Sequence, residues 1–264
     1  MTSRAFLIRP LLFAAPLSLC SCSSGGGELD NGSFSYVCLS PSDAACGPGD
    51  SIEQVAKVMP KALAVGARFR VAFKPQSSAA VDGAAVVEPA SAALLERESS
   101  DPTILKALRP GFAGLLAKRG STVVEFLHLN LEAVDHLGIY VGSDAPSARP
   151  PSAAPLAMRP GDQVQLRAGT ISKTGELLAG SMSYVWSSAD DGVAAIILSP
   201  TAGEITVRAS KVGTTTLHVT TDGASAEVPV VITDAVGGSQ TTSGVGGAGG
   251  AGGADGAGGT GGAR

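Results

Sequence analysis

The chain has 264 residues, of which 4% are aromatic and 16% charged, and its formal charge is −4. That length suits one or two domains once non-globular ends are set aside, and a composition rich in Gly, Ala, Ser, Thr and Val suits short strands and tight turns better than long charged helices. A mildly acidic chain without a basic cluster excludes nucleic acid and other polyanions as expected partners.

Residues 1–22 read as an export signal. Arg4 and Arg9 form a basic start, and an apolar run of ten residues follows from Pro10 to Leu19. The run is too short to cross a bilayer, which takes roughly 20 residues, but it fits the hydrophobic segment of a cleaved leader. It closes on Leu17-Ser18-Leu19-Cys20-Ser21-Cys22. This resembles the lipobox of bacterial lipoproteins, with Leu19 three places before the acylated cysteine and the small Ser21 directly before it. The resemblance makes Cys22 the lipidated residue and Cys20 the alternative. It also implies outer-membrane sorting, because Ser23 stands where inner-membrane retention needs an Asp. An ordinary secretory leader is the competing reading, and it would make the protein secreted. Residues 23–33, beginning Ser23-Ser24-Gly25-Gly26-Gly27, are expected to be a flexible tether.

Cys38 and Cys46 lie close together in what would be an oxidising compartment, so the pair reads as a disulfide. Closing so short a loop stabilises the fold by about 2.5 kcal/mol in the chain-entropy view.

The body of the chain repeats itself. Gly66-Ala67-Arg68-Phe69-Arg70-Val71 matches Gly161-Asp162-Gln163-Val164-Gln165-Leu166, each a turn glycine followed by alternating apolar residues. Gly111 precedes Ala113, Leu115 and Ala117 and then Gly120; Gly213 precedes Thr215, Leu217 and Val219 and then Gly223. Each second glycine opens another alternating stretch, 122–131 and 225–232. Period-2 alternation bounded by glycine predicts half-buried strands joined by hairpins. Two tandem β-domains follow, over 34–133 and 134–234.

In the first domain the repeat itself covers about 54–133, with strands expected at 54–59, 68–74, 104–108, 111–118 and 122–131. Its middle, 81–96, reads as weak strands interrupted by Pro89, with a possible helical turn. The second domain is clearer. A strand at 134–141 is followed by a Pro/Ser/Ala-rich insertion at 143–155 and a strand from Val164 to Ala168. Then come Tyr184-Val185-Trp186-Ser187-Ser188 with Asp190 nearby, Gly203-Glu204-Ile205-Thr206-Val207, and Gly213-Thr214-Thr215-Thr216-Leu217. This order resembles the group 2 bacterial immunoglobulin-like domain. The resemblance implies an all-β fold, two tandem immunoglobulin-like β-sandwiches, with Trp186 as the core tryptophan between the sheets.

From residue 235 onward Gly occupies 14 of 30 positions. Although Gly falls at every third position from Gly244 to Gly262, the tail has no proline and few triplets, so a collagen helix is not expected. It reads as a disordered spacer.

A search for chemistry yields no catalytic residue. His128, His136 and His218 are scattered without metal-ligand spacing. His218 alternates with Leu217 and Val219 and should face solvent, whereas His128, within Phe126-Leu127-His128-Leu129, could be a buried polar residue. No serine sits in a nucleophile elbow, and no glycine run precedes Lys-Ser/Thr in a phosphate-binding setting. Asp43, Asp190-Asp191 and Asp222 read as turn residues, with calcium at a domain edge as the alternative. Lys118-Arg119 reads as a solvated hairpin turn. Neither a metal nor a cofactor is expected.

The function expected from these features is that of a non-enzymatic, lipid-anchored cell-envelope protein acting as an interaction module. Its partners would be the membrane, through N-terminal acyl chains, and a protein or glycan of unspecified kind. A purely structural spacer or stalk is one alternative; accessory domains of a surface adhesin or carbohydrate-binding protein are another.

Overall fold

The computed structural model describes residues 29–40, 43–46, 55–56, 59–76, 84–142, 152, 154–198 and 203–234. The leader with Cys20 and Cys22, the tether as far as residue 28, most of the 143–155 insertion and the tail from 235 lie outside the described residues. Among the described residues the fold is all-β.

The first sandwich is built from β1 (Gly32–Val37), β2 (Val55–Ala56), β3 (Leu63–Ala64), β4 (Arg68–Pro75), β5 (Val86–Pro89), β6 (Leu95–Arg97), β7 (Ile104–Ala107), β8 (Gly111–Arg119) and β9 (Thr122–Glu132). A five-stranded sheet runs β2-β1-β4-β7-β6, and a four-stranded sheet runs β3-β9-β8-β5. The second comprises β10 (His136–Val141), β11 (Leu156–Met158), β12 (Gln163–Ile171), β13 (Leu177–Leu178), β14 (Val185–Ser188), β15 (Ala194–Leu198), β16 (Glu204–Ala209), β17 (Gly213–Thr221) and β18 (Ala224–Ile232). Here one sheet runs β10-β12-β16-β15 with β13 paired to β12, and the other runs β11-β18-β17-β14.

The two are one design used twice, with β2 and β13 alone lacking a counterpart among the described residues. In each, the opening strand sits in the larger sheet, and the chain then crosses to lay a short strand parallel to the last strand, β3 on β9 and β11 on β18. The long hairpins share their register, Gly111 facing Leu131 as Gly213 faces Ile232, as far as Ala117, where a bulge at Val124 shifts the first. The glycines of the sequence match, Gly66 and Gly161, both turn at positive φ, 89° and 93°, where a side chain would be strained. The fold is thus a tandem of immunoglobulin-like β-sandwiches.

Alternation decides what is buried, since successive side chains leave a strand on opposite faces. Phe69, Leu105, Leu115 and Leu131 fill the first core with Tyr36, whose ring stacks on Phe69 at 6.4 Å. Leu166, Ile205, Leu217, Val230 and Ile232 fill the second, and Trp186 is buried among them, 9% exposed.

Several expectations change. The tether does not extend to residue 33: Gly32 and Ser33 belong to β1, opposite Pro75 and Lys74. Pro89 ends β5 instead of interrupting a strand, and it pairs with Leu115; the edge position of β5 leaves proline's missing N–H without consequence. The helical turn is a single turn in which Leu94 and Leu95 both donate to the Ser91 carbonyl. His128 is exposed, because Leu129 and Leu131 point inward and residue 128 falls on the other face, packed edge-on against Phe126. Strands β1, β3, β11, β13 and β15 were not foreseen as strands; all but β1 and β15 are too short to display a period.

Candidate functional site

The feature with the most specific chemistry is the joint between the sandwiches. Only residues 133–135 separate β9 from β10, and the two halves are then tied by a second, non-covalent crossing. After β13 the chain leaves its own sheet, and Ala179-Gly180-Ser181 runs into the first sandwich between β3 and β4. Ala64 N–H donates to the Ala179 carbonyl at 2.9 Å, and Ala179 N–H donates to the Ala62 carbonyl at 3.1 Å. Arg68 and Ser181 exchange both backbone bonds, at 2.9 and 2.8 Å. A strip of the second sandwich therefore completes backbone pairing in the first.

Small side chains make this approach possible. Ala62, Ala64 and Ala67 meet Leu178 and Met182, with Val134 and Tyr184 packed against them. Gly180 has φ of 113°, and a Cβ placed there would lie 2.4 Å from the Cβ of Ala67. That overlap, together with the left-handed backbone, restricts the position to glycine.

Beneath the strip sits Asp43, 1% exposed. One carboxylate oxygen accepts from Gly180 N–H at 2.9 Å and from Ala45 N–H at 3.0 Å, while the other accepts from the Tyr36 hydroxyl at 2.5 Å. The Cys38–Cys46 disulfide closes the loop that carries it, with Cα atoms 6.0 Å apart. Burial raises the Asp43 pKa above the usual carboxylate value, an effect that its three donors only partly oppose. Burial, reinforced by the neighbouring carboxylate, pushes the Tyr36 phenol well above its ordinary range. This aspartate, expected as a turn residue, is a turn acceptor toward Ala45 and also the bond between two domains. Its partner is 137 residues away, and no local pattern announces such a contact.

A second buried carboxylate fixes the amino-terminal entry. Glu125 on β9 is fully buried and accepts from Leu29 N–H at 2.7 Å, Asn31 N–H at 2.8 Å and Phe126 N–H at 3.0 Å. Burial would raise its pKa, but these donors and Gly32 N–H outweigh it and hold the carboxyl below its ordinary value. Asn31 adds a side-chain bond to the Val124 carbonyl at 2.9 Å. Sequence reading passed over Glu125, because a charged residue within an alternating strand is normally assigned to the solvent face.

The remaining candidates stand apart from one another. His136 pairs with Asp135 at 2.9 Å and His218 with Glu227 at 3.1 Å, on separate strands. Asp190 caps its own turn, accepting from Gly192 N–H at 2.8 Å. Lys118 and Arg119, expected in the hairpin turn, are the last two residues of β8, opposite Val123 and Thr122, and Lys118 pairs with Glu88 at 3.1 Å.

The sequence matches no family model, and no curated protein matches it. Among solved structures, domains 4 and 5 of the S-layer protein SbsC are similar at 16% identity and a TM-score of 0.30, covering 60% of this chain and 81% of that one. The chain spans 30% of the longer SbsC structure of domains 4–9. The Yersinia pseudotuberculosis adhesin InvE is similar at 12% identity and a TM-score of 0.29, covering 66% of this chain and 56% of that one. The D00-D0 domain of intimin is similar at 13% identity and a TM-score of 0.27, covering 66% and 95%. Strand order and register, not these overlaps, define the fold.

Proposed function

We propose that the chain is a non-enzymatic cell-envelope module, anchored to the outer membrane by acyl chains on Cys22, in which two immunoglobulin-like sandwiches act as one interaction unit. The observation that carries the reading is the joint. A hydrogen-bonded strip, a buried aspartate and a glycine against an alanine are structural contacts that hold one sandwich against the other. Domains joined by a simple linker would move independently. The acyl anchor is supported by the lipobox resemblance, and two or more acyl chains suffice for stable attachment.

A spacer role is the second reading, favoured by the path of the chain. Gly32 enters the first sandwich opposite Pro75, at the end of β4 remote from Arg68 and the joint. Ile232 leaves the second opposite Gly213, at the end remote from Thr221, which bonds Ser183 beside the joint. Entry and exit thus lie at the strand ends away from the joint, and the eleven residues of β9 alone extend roughly 36 Å.

Mass spectrometry of protein from its native membrane fraction tests the anchor. A diacyl- or triacyl-glyceryl Cys22 as first residue is expected; an unmodified, soluble mature chain would overturn the anchored reading and make the module a secreted one.

A further inference from the structure

Because the chain carries its fold twice, one sandwich serves as a control for the other. The outer face of the β3-β9-β8-β5 sheet carries large apolar side chains at four positions where its counterpart is polar. In the first hairpin the outward positions include Phe112 and Leu116 on β8 and Val123, Phe126 and His128 on β9. Aligning Gly111 with Gly213 and Leu131 with Ile232, the matched residues are Thr214, His218, Ser225, Glu227 and Pro229. Leu116 opposite Phe126 thus stands where the second sandwich has the His218–Glu227 pair. Phe112 is 76% exposed, the most exposed large hydrophobic side chain described, and Val123 is 39% exposed. The contrast is local, because His128 and Asn130 are matched by Pro229 and Val231 and exposed Val86 by exposed Val185, so it is Phe112, Leu116, Val123 and Phe126 that the fold does not require. Large apolar side chains exposed on one sheet face mark a contact.

The amino-terminal segment indicates what the contact is. Leu29, itself 48% exposed, is held by Glu125, and Asn31 is bonded to Val124, so the chain leaves this sandwich alongside the start of β9 and next to Val123. Six residues, 23–28, separate Cys22 from Leu29. Fully extended, that span reaches at most about 25 Å. An acyl group on Cys22 therefore keeps the bilayer within one sandwich length of this face. Glu88, opposite Leu116, pairs with both Lys118 and Arg97, so the charges beside the patch already have partners within the sandwich, and the attraction is taken to be apolar.

We propose that the outer face of the β3-β9-β8-β5 sheet, centred on Phe112, Leu116, Val123 and Phe126, docks onto the lipid bilayer that holds the protein's own acyl anchor. The inference rests on lipidation at Cys22. Docking places Phe112 and Val123 at the headgroup–acyl boundary and leaves the second sandwich's Thr-rich face in water. High salt leaves it intact, since screening acts on exposed charges and not on apolar burial.

The test uses the full mature protein in phosphatidylethanolamine–phosphatidylglycerol vesicles. An environment-sensitive fluorophore is placed at Phe112→Cys or, as the matched control, Thr214→Cys; Cys38 and Cys46 are occupied by their disulfide. Equal melting temperatures establish that each variant folds, and the mass of the amino-terminal peptide reports acylation independently. The expected result is acylated protein in which spin-labelled lipid quenches position 112 several-fold more than position 214, unchanged in high salt. Acylated protein with equal, weak quenching at both positions overturns the docking while leaving the anchor in place. Cross-linking of residue 112 between two copies without lipid quenching also overturns it, in favour of a self-association face. An unmodified Cys22 overturns the anchor and the docking with it.

Discussion

Replacing Gly180 by alanine should unlock the two sandwiches without unfolding either. The added Cβ would meet the Cβ of Ala67 at 2.4 Å, on a backbone whose φ is 113°. The backbone conformation costs a non-glycine residue about 1–3 kcal/mol, and overpacking adds about 1–3 kcal/mol. Against this stand five hydrogen bonds across the joint, from Ala62, Ala64, Arg68 (two) and Asp43 to residues 179–181, each contributing about 1 kcal/mol net. The penalty is of the same size as these hydrogen bonds, while the apolar contact of Ala62, Ala64 and Ala67 with Leu178 and Met182 adds to the attraction, so the joint should open in a measurable fraction of molecules. Spin labels on exposed sites in β8 and β17 read the distance between the sandwiches by pulsed electron resonance. The parent should give one narrow distance; Gly180→Ala should give a broad distribution and split a single thermal transition into two. Gly175→Ala is the control, with positive φ of 82° but open space around its Cβ, and it should leave the distance narrow. A narrow distance and one transition in Gly180→Ala would refute the claim that this glycine sets the geometry.

Asp43→Ala leaves Gly180 N–H, Ala45 N–H and the Tyr36 hydroxyl without their acceptor, and should cost about 2–4 kcal/mol by chemical denaturation; Asp43→Asn keeps an acceptor and should cost less. Because burial raises the Asp43 pKa, its contribution is full below the unfolded value and declines as pH rises through the folded one, and the Asn variant should lack that slope. Glu125 has the opposite sign. Its pKa is lowered, so its contribution is present above the unfolded value of about 4.3 and is lost as pH falls through the folded one. Glu125→Gln should therefore flatten the acid limb of a stability–pH curve and increase amide exchange at Leu29 and Asn31. Reducing the Cys38–Cys46 bond should lower stability by about 2.5 kcal/mol and, since the same loop carries Asp43, should widen the inter-sandwich distance as well; unfolding without any change in that distance before the melt would separate the loop from the joint.

What the sequence determined by itself is what local pattern can encode. Alternation bounded by glycine located the long hairpins β8–β9 and β17–β18, the strand preferences of Val, Thr and Ile made them strands, and their repetition announced two copies of one fold. The spacing of Cys38 and Cys46 was enough to pair them, and Trp186 lies within the second core as its neighbours suggested. Only tertiary structure decided the rest. Strands of two or three residues such as β3 and β11 have no period to read; they exist because the last strand of each sandwich offers a parallel edge. Asp43 and Glu125 look like ordinary polar residues until folding supplies their donors, in one case from 137 residues away. The meeting of Gly180 with Ala67 is a fact about the space between two domains. Periodicity specifies which face of a strand turns inward, because that follows from backbone geometry alone. Which surface meets it depends on the shape of the whole chain, and no short stretch of sequence contains that information.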